Sequence, residues 1–115
     1  MPFSDTDSVQ IDEMLDAARR LTGYVAEASA DGFEKNELVY DAVCMNLLRI
    51  GEGARLLSDM AKAELPDIPW PDIISLRHRI AHGYSHLRAT IIWETATRNV
   101  PPFAQALAAL RTRLD

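Results

Sequence analysis

The sequence has only one cysteine, Cys44, among its 115 residues. A lone cysteine cannot form an internal disulfide or build a thiolate metal site, which excludes a disulfide scaffold and a zinc finger. No apolar run approaches the roughly 20 residues that span a bilayer, which excludes a membrane-spanning helix. The acidic start at residues 4–8 is unlike a signal peptide, so we expect a cytoplasmic protein without membrane contact. Cys44 lies between Val43 and Met45 and is predicted to be a small buried apolar residue.

Positive charge is also in the minority. Asp and Glu number 17 against 12 Lys and Arg, which gives a net charge of −5 and argues against broad binding to nucleic acid. The charge is uneven, however: residues 1–70 have fourteen acidic and six basic side chains, whereas residues 71–115 have three and six, or −8 and +3. The second part could form a local basic patch that receives a polyanion. Arginines that merely cover helix surfaces are the alternative.

Strand patterns are missing too, because no segment alternates apolar and polar residues with a period of two. The length predicts one domain over residues 1–115. Apolar residues recur at three and four, which predicts an all-α fold, an antiparallel four- to five-helix bundle. The expected helices cover about residues 8–29, 36–65, 71–83, 87–99 and the segment that starts at Pro101-Pro102.

Glycine and proline mark particular places in these helices. Gly51 and Gly53 lie inside the longest predicted helix, where each costs up to about 1 kcal/mol, so we expect close packing against another backbone or a kink. Pro71 suits the first turn of a helix, since its missing N–H does no harm there. Gly83 can adopt the left-handed conformation that ends one.

The densest polar cluster runs from Arg77 to His86 and contains all three histidines of the chain. One interpretation is a metal site, because His78, His82 and His86 have the i, i+4, i+8 spacing of one helix face. Gly83 argues against it by ending the helix before His86. The cluster also has arginines, which would repel a dication, and lacks a carboxylate.

A second interpretation of the cluster uses Arg77, His82 and Tyr84 as an Arg-x4-His-x-Tyr motif. An imidazole can move a proton to or from a ribose hydroxyl, and a guanidinium can bind the charge of a pentacoordinate phosphorus, which together suit metal-free RNA cleavage. The two side chains are about 140° apart around a helix, so they share a face only if the helix ends close by. Basic side chains at a helix C-terminus, with Tyr84 in the core, are the plain alternative.

Several segments, in this order, resemble the HEPN-domain toxins of the HepT type. The resemblance extends over about residues 11–113. The segments are Asp41-Ala-Val, Asn46-Leu-Leu-Arg-Ile-Gly-Glu52, Pro66-x-Ile-Pro-Trp70, Arg77-x4-His82-Gly-Tyr84, Ile91-Ile-Trp93 and Val100-Pro101.

The resemblance implies a helical domain that forms a symmetric homodimer, with both Arg-x4-His motifs facing one composite cleft. It implies a metal-independent endoribonuclease without a cofactor, acting on tRNA or mRNA, in which Arg77 and His82 are catalytic. His78 and Arg79 would support the site; many relatives have Asn at the position of His78. The family pairs each toxin with a minimal nucleotidyltransferase antitoxin that transfers AMP to the motif tyrosine, here Tyr84.

Two questions stay open at the level of sequence. Glu52, beside the two glycines, could orient Arg49, Arg55 or the motif itself, or it could be a solvated helical residue. For the function, the ribonuclease toxin competes with a non-enzymatic helical partner of a nucleotidyltransferase and with the metal-binding bundle.

Overall fold

The computed structural model describes residues 5–83 and 87–114 of the chain. Within these ranges every regular element is helical, which confirms the all-α prediction. The elements are α1 (Asp5–Ala26), α2 (Ala30–Lys35), α3 (Glu37–Leu56), α4 (Asp59–Ala63), α5 (Trp70–Ala81), α6 (Ala89–Glu94), a π-helical segment (Thr95–Asn99) and α7 (Val100–Arg113).

Helix α3 is the centre of the packing, with α1 on one side and α5 on another, while α7 packs on the far side of α1. Most apolar positions predicted for α1, α3 and α7 are buried, including the seam of α7 formed by Phe103, Leu107 and Leu110. Val9 and Leu38 are exposed, and the apolar positions predicted for α5 are only partly buried against the core. Gly51 and Gly53 lie in these helix contacts, and α3 runs through both without a break. Close packing, rather than a kink, therefore accounts for the two glycines.

The prediction of one long helix over residues 36–65 is wrong after Leu56. Helix α3 ends at Leu56, and Ser58 starts the separate helix α4 by accepting a hydrogen bond on Oγ from the N–H of Ala61 at 3.1 Å. Asp7 of α1 fixes this break, because its buried carboxylate accepts hydrogen bonds from the N–H of Ser58 at 2.9 Å and from the Ser58 hydroxyl at 2.7 Å. A capping serine that a second residue holds in place starts a new helix, even where the apolar spacing favours a continuous one.

The region after α1 also differs from the prediction. The first helix, predicted over about residues 8–29, ends at Ala26, and Asp31 and Gly32 lie inside the separate short helix α2. The Oγ of Ser29 caps α2 by accepting from the N–H of Gly32, and the Oδ1 of Asn36 caps α3 in the same way. Phe33 alone buries the apolar side of α2, which is too little for a periodic signal.

The two last predicted helices form one continuous rod with an altered middle. The π-helical segment joins α6 to α7, and the N–H of Val100 donates to the carbonyl of Thr95, five residues back. Pro101 and Pro102 lie in the first turn of α7 and have no N–H to donate. The wider π turn moves the carbonyls away from the proline rings, so the chain passes two prolines without a break.

Two smaller expectations concern Cys44 and the membrane. Cys44 is half-buried against the core rather than fully inside it, and burial raises the pKa of its thiol. None of the helices in residues 5–83 and 87–114 is both long enough and apolar enough to cross a lipid bilayer.

Candidate functional site

Helix α5 carries the described part of the polar cluster. Pro71 lies in its first turn, and the helix ends at Ala81 with Gly83 at a φ of 65°, as its sequence predicts. His78 and Arg79 are in the last turn, where positive charge interacts favourably with the exposed carbonyls. Tyr84 and His86 lie outside the described residues.

Arg77 points toward α3, where Gly51 makes room for it. A Cβ at position 51 would lie 2.1 Å from the Cβ of Arg77 and 3.2 Å from its Cα. The stem of the arginine is therefore packed directly on the backbone of α3. Side chains at this position would force the two helices apart.

Glu52, the next residue of α3, contacts the head of the same arginine. Its Oε2 lies 3.0 Å from Nη2 of Arg77, and its Oε1 lies 2.6 Å from Nη2 of Arg55. About a third of its side chain is exposed, so it is neither buried nor a free solvated residue. The contacts answer the question left open by the sequence: Glu52 pairs with Arg55 and with the motif, whereas Arg49 pairs with Glu13 and Asp16 of α1.

The charge state of Glu52 follows from these partners. The hydrogen bond from Arg55, followed by the charges of Arg55 and Arg77, holds the pKa of Glu52 below its usual range. Glu52 is therefore an anion at neutral pH that accepts hydrogen bonds from Arg55 and forms an ion pair with Arg77.

The Nε of Arg77 has a different environment from the terminal nitrogen that contacts Glu52. This atom is buried, and no acceptor among the described residues reaches it. A buried donor without a partner is uncommon in proteins and costs about 1–3 kcal/mol. Glu52 takes one terminal nitrogen of Arg77, so the guanidinium keeps donor capacity for a further acceptor.

His82 caps the end of α5 and lies against His78, one turn earlier. The two ring centroids are 4.2 Å apart, with the planes inclined by 48°. The structure thus forms two pairs, Arg77 with Glu52 and His78 with His82. Both imidazoles are exposed, as is Arg79, so all three are open to a ligand.

An apolar groove runs along α5 to the imidazole of His78. It is lined by Trp70, Pro71, Ile74, Ser75 and His78 of α5 and by Lys62 of α4. Apolar surface next to basic groups is a combination on which unpaired bases of nucleic acid can stack. In the described part of the chain, no three His, Cys, Asp or Glu side chains are grouped for metal binding; His86 of the three-histidine alternative is not among these residues.

Tyr40 has a role in the site that the sequence did not reveal. Its hydroxyl donates a 3.2 Å hydrogen bond to the carbonyl of Leu87, the first described residue after the motif. Burial, followed by the nearby Cys44, raises the pKa of Tyr40 to about 12, so it stays a neutral donor. The contact ties the chain beyond the motif to α3. Its only sequence signal is a tyrosine in an apolar stripe, which ordinarily indicates core packing.

Comparisons with known proteins show which family the sequence resembles. A family model described as "Ribonuclease HepT-like" matches residues 14–110. A "Probable ribonuclease HepT" of Thermococcus cleftensis is 22% identical over 101 residues, which cover 88% of this chain and 92% of the relative. A protein of Methanocaldococcus jannaschii whose name describes it as an RNase is 24% identical over 89 residues, or 77% and 82% of the two chains. No solved structure gives a significant match.

Proposed function

Because the chain belongs to the HepT-like ribonuclease family, we propose that it is a toxin that cleaves RNA, tRNA or mRNA, at Arg77 and His82 without a metal ion or cofactor. The observation that carries this proposal is the setting of Arg77: an arginine packed on Gly51, held by Glu52, on the helix that His82 caps. His78 and Arg79 support the site through the imidazole pair and the added positive charge.

The chemistry needs one proton acceptor, one proton donor and a cation. The ribose 2′-oxygen attacks the phosphorus while a base removes its proton, and the bond from phosphorus to the 5′-oxygen breaks as that oxygen takes up a proton. An imidazole can serve in either proton transfer near neutral pH. The guanidinium of Arg77 stabilises the extra negative charge on the phosphorus in between.

A second copy of the chain completes this site in our proposal. Arg77 is packed on α3 and paired with Glu52, whereas the ring of His82 lies against the exposed His78, so one subunit does not aim both groups at a single phosphate. Support comes from α3, where Leu38, Met45 and Leu56 are exposed large apolar residues. Their spacing puts them within about 40° of Glu52 around the helix. A symmetric dimer that covers this stripe would bring two Arg77–Glu52 pairs to one cleft and double its positive charge.

Regulation in this proposal acts on Tyr84, two residues after His82. A cognate minimal nucleotidyltransferase would transfer AMP to its hydroxyl and so place a bulky anion beside the cleft. With ATP and the antitoxin, the parent should gain AMP by intact mass and Tyr84→Phe should gain none. Transfer of AMP to Tyr24 or Tyr40 would contradict the assignment of Tyr84.

We also propose that the toxin forms one domain over residues 1–115 and acts in the cytoplasm.

The decisive experiment is cleavage of RNA by the purified chain in the presence of a chelator. We expect the parent and His86→Ala to cleave, and Arg77→Ala and His82→Ala to lose several kcal/mol of transition-state stabilisation, or about a thousandfold in rate. Arg98→Ala is the matched control, because Arg98 is an exposed arginine paired with Glu94 at 3.5 Å, outside the site. Undiminished cleavage by both site variants would contradict the proposal. An inactive parent that still binds the nucleotidyltransferase would indicate the non-enzymatic partner instead.

A further inference from the structure

Glu52 lies where α3 meets the end of α5, and it contacts two arginines at once. The separations are 3.0 Å to Nη2 of Arg77 and 2.6 Å to Nη2 of Arg55, which precedes the end of α3 by one residue. Arg55 is half-exposed, whereas three quarters of the Arg77 side chain is buried. The same carboxylate therefore joins a surface cation to the inner cation of the motif.

The stem and the head of Arg77 are fixed by consecutive residues of α3. Gly51 fits under the Cβ and Cγ of Arg77 and leaves the stem no space to shift toward α3. An arginine side chain has several further rotatable bonds, so a fixed stem alone does not fix the guanidinium. Nε of Arg77 has no acceptor within residues 5–83 and 87–114, and in this part of the chain the ion pair with Glu52 is therefore the contact that orients the head.

We propose that Glu52 is a positioning residue for RNA cleavage: it holds the guanidinium of Arg77 in the orientation that receives the phosphate. This inference rests on the function proposed above. Glu52 acts through Arg77 and does not itself transfer a proton. A misplacement of a catalytic group by about 1 Å costs about 100-fold in rate, so a positioning residue has a measurable effect without touching the substrate.

A role for Glu52 in proton transfer is disfavoured by its partners. A general acid or base acts best when its pKa lies near the working pH, whereas Arg55 and Arg77 hold the pKa of this carboxyl low. Arg55 also competes for the carboxylate. Arg55 donates to both carboxylate oxygens, from Nε to Oε2 at 3.2 Å and from Nη2 to Oε1 at 2.6 Å, and Arg77 shares Oε2. This two-point contact fixes the carboxylate plane relative to the motif.

The test compares Glu52→Gln with Glu94→Gln in the full chain. Glutamine keeps the size and helix preference of glutamate and removes its charge. Glu94, the last residue of α6, is a matched control, since it pairs with Arg98 of the π-helical segment. We expect Glu52→Gln to lower kcat about 10- to 100-fold with KM changed less than about threefold, and Glu94→Gln to leave both unchanged. Thermal unfolding shows whether each variant is folded under the assay conditions.

A second readout is independent of cleavage. The Nε–H of Arg77 is buried, so its proton should exchange slowly with water and give an arginine side-chain NMR signal that Arg77→Lys removes. We expect this signal to shift or broaden in Glu52→Gln and to stay in place in Glu94→Gln. This readout reports the orientation of Arg77 whether or not RNA is cleaved.

The outcomes separate the two proposals. A fall in kcat together with a moved Nε signal supports the positioning role. An unchanged kcat overturns it, and so does a fall in kcat with an unmoved signal or one that only follows the fraction of unfolded protein. If the parent cleaves no RNA, the proposed function fails, and the Nε signal alone then decides whether Glu52 orients Arg77.

Discussion

Gly51 and Gly53 are two residues apart on α3 and face different neighbours. Gly53 lies against α1, where an added Cβ would be 2.4 Å from Cγ and 3.0 Å from Sδ of Met14. Gly51 lies against α5, where an added Cβ would meet the Cβ, Cγ and Cα of Arg77. The core and the candidate site are thus built on the same helix by the same device, a glycine that admits a close neighbour.

The neighbours differ in what they can tolerate. Met14 meets Gly53 with Cγ and Sδ, the middle of a flexible unbranched chain, which can change rotamer to fit a methyl group. Arg77 meets Gly51 with its Cβ next to the backbone, and this cannot move unless α5 moves. Of the two glycines, Gly51 therefore couples a change in α3 to the position of Arg77, the proposed catalytic side chain.

The largest effect is expected for Gly51→Ala, because this variant combines a loss of stability with the displacement of Arg77. An added methyl group at this position must push α5 from α3, and overpacking against so rigid a neighbour is expected at the upper end of the usual range, about 3 kcal/mol. The gain in helix propensity, about 1 kcal/mol, offsets part of that cost. Chemical denaturation should show a lower unfolding midpoint. A variant as stable as the parent would mean that the two helices separate freely.

Asp7→Ala sharpens the comparison because Asp7 acts far from the motif. The variant removes a buried carboxylate that accepts two hydrogen bonds from Ser58. This loss should lower the free energy of unfolding by about 1.5–3 kcal/mol. Urea denaturation measures this loss. We expect the rate of cleavage per folded molecule to be unchanged, so a loss of activity beyond the unfolded fraction would show that the core and the site are not separable.

Gly53→Ala should have a smaller effect on stability. The strain at Met14 is relieved by a rotamer change and is opposed by the helix propensity of alanine, so a net cost of about 1 kcal/mol is expected. Thermal unfolding of the two glycine variants side by side checks the order. Equal destabilisation by both would remove the distinction between a flexible and a rigid neighbour.

The smallest effect is expected at Asp16 on the α1 side of α3. Hydrogen bonds from Arg19, Arg20 and Arg49 hold the pKa of this exposed carboxyl well below its ordinary value of 3.8. A lowered pKa contributes stability above pH 3.8 that is lost as the pH falls toward the folded-state value. The parent should therefore exceed Asp16→Asn slightly in melting temperature at pH 7, and the difference should shrink below pH 3.8. A difference that grew with acid would contradict this assignment.

Much of this architecture could be predicted from the sequence. The period of apolar residues indicates α1, α3, α5 and α7. Gly83 indicates the end of α5, because glycine readily adopts the left-handed conformation that the chain has there. The break at Ser58 could not be predicted, since it depends on Asp7, which is 51 residues away. The π-helical segment was missed because two prolines ordinarily begin a new helix.

In the candidate site, too, some residues could be predicted from the sequence and some contacts could not. Arg77 and His82 stand out by residue type and spacing, whereas the partner of Glu52 depends on how α3 and α5 are placed side by side. Tyr40 is similar, because its hydrogen bond to Leu87 joins residues 47 positions apart. Contacts between distant segments are a product of tertiary packing, and no local pattern encodes them.

The most direct test of this account is the rate of RNA cleavage per folded molecule for Gly51→Ala and Gly53→Ala, measured beside the parent with a chelator present. Displacement of Arg77 should lower the rate of Gly51→Ala about 100-fold, and Gly53→Ala should stay within about twofold of the parent. Equal rates for the two variants would contradict the claim that α3 positions Arg77 for catalysis.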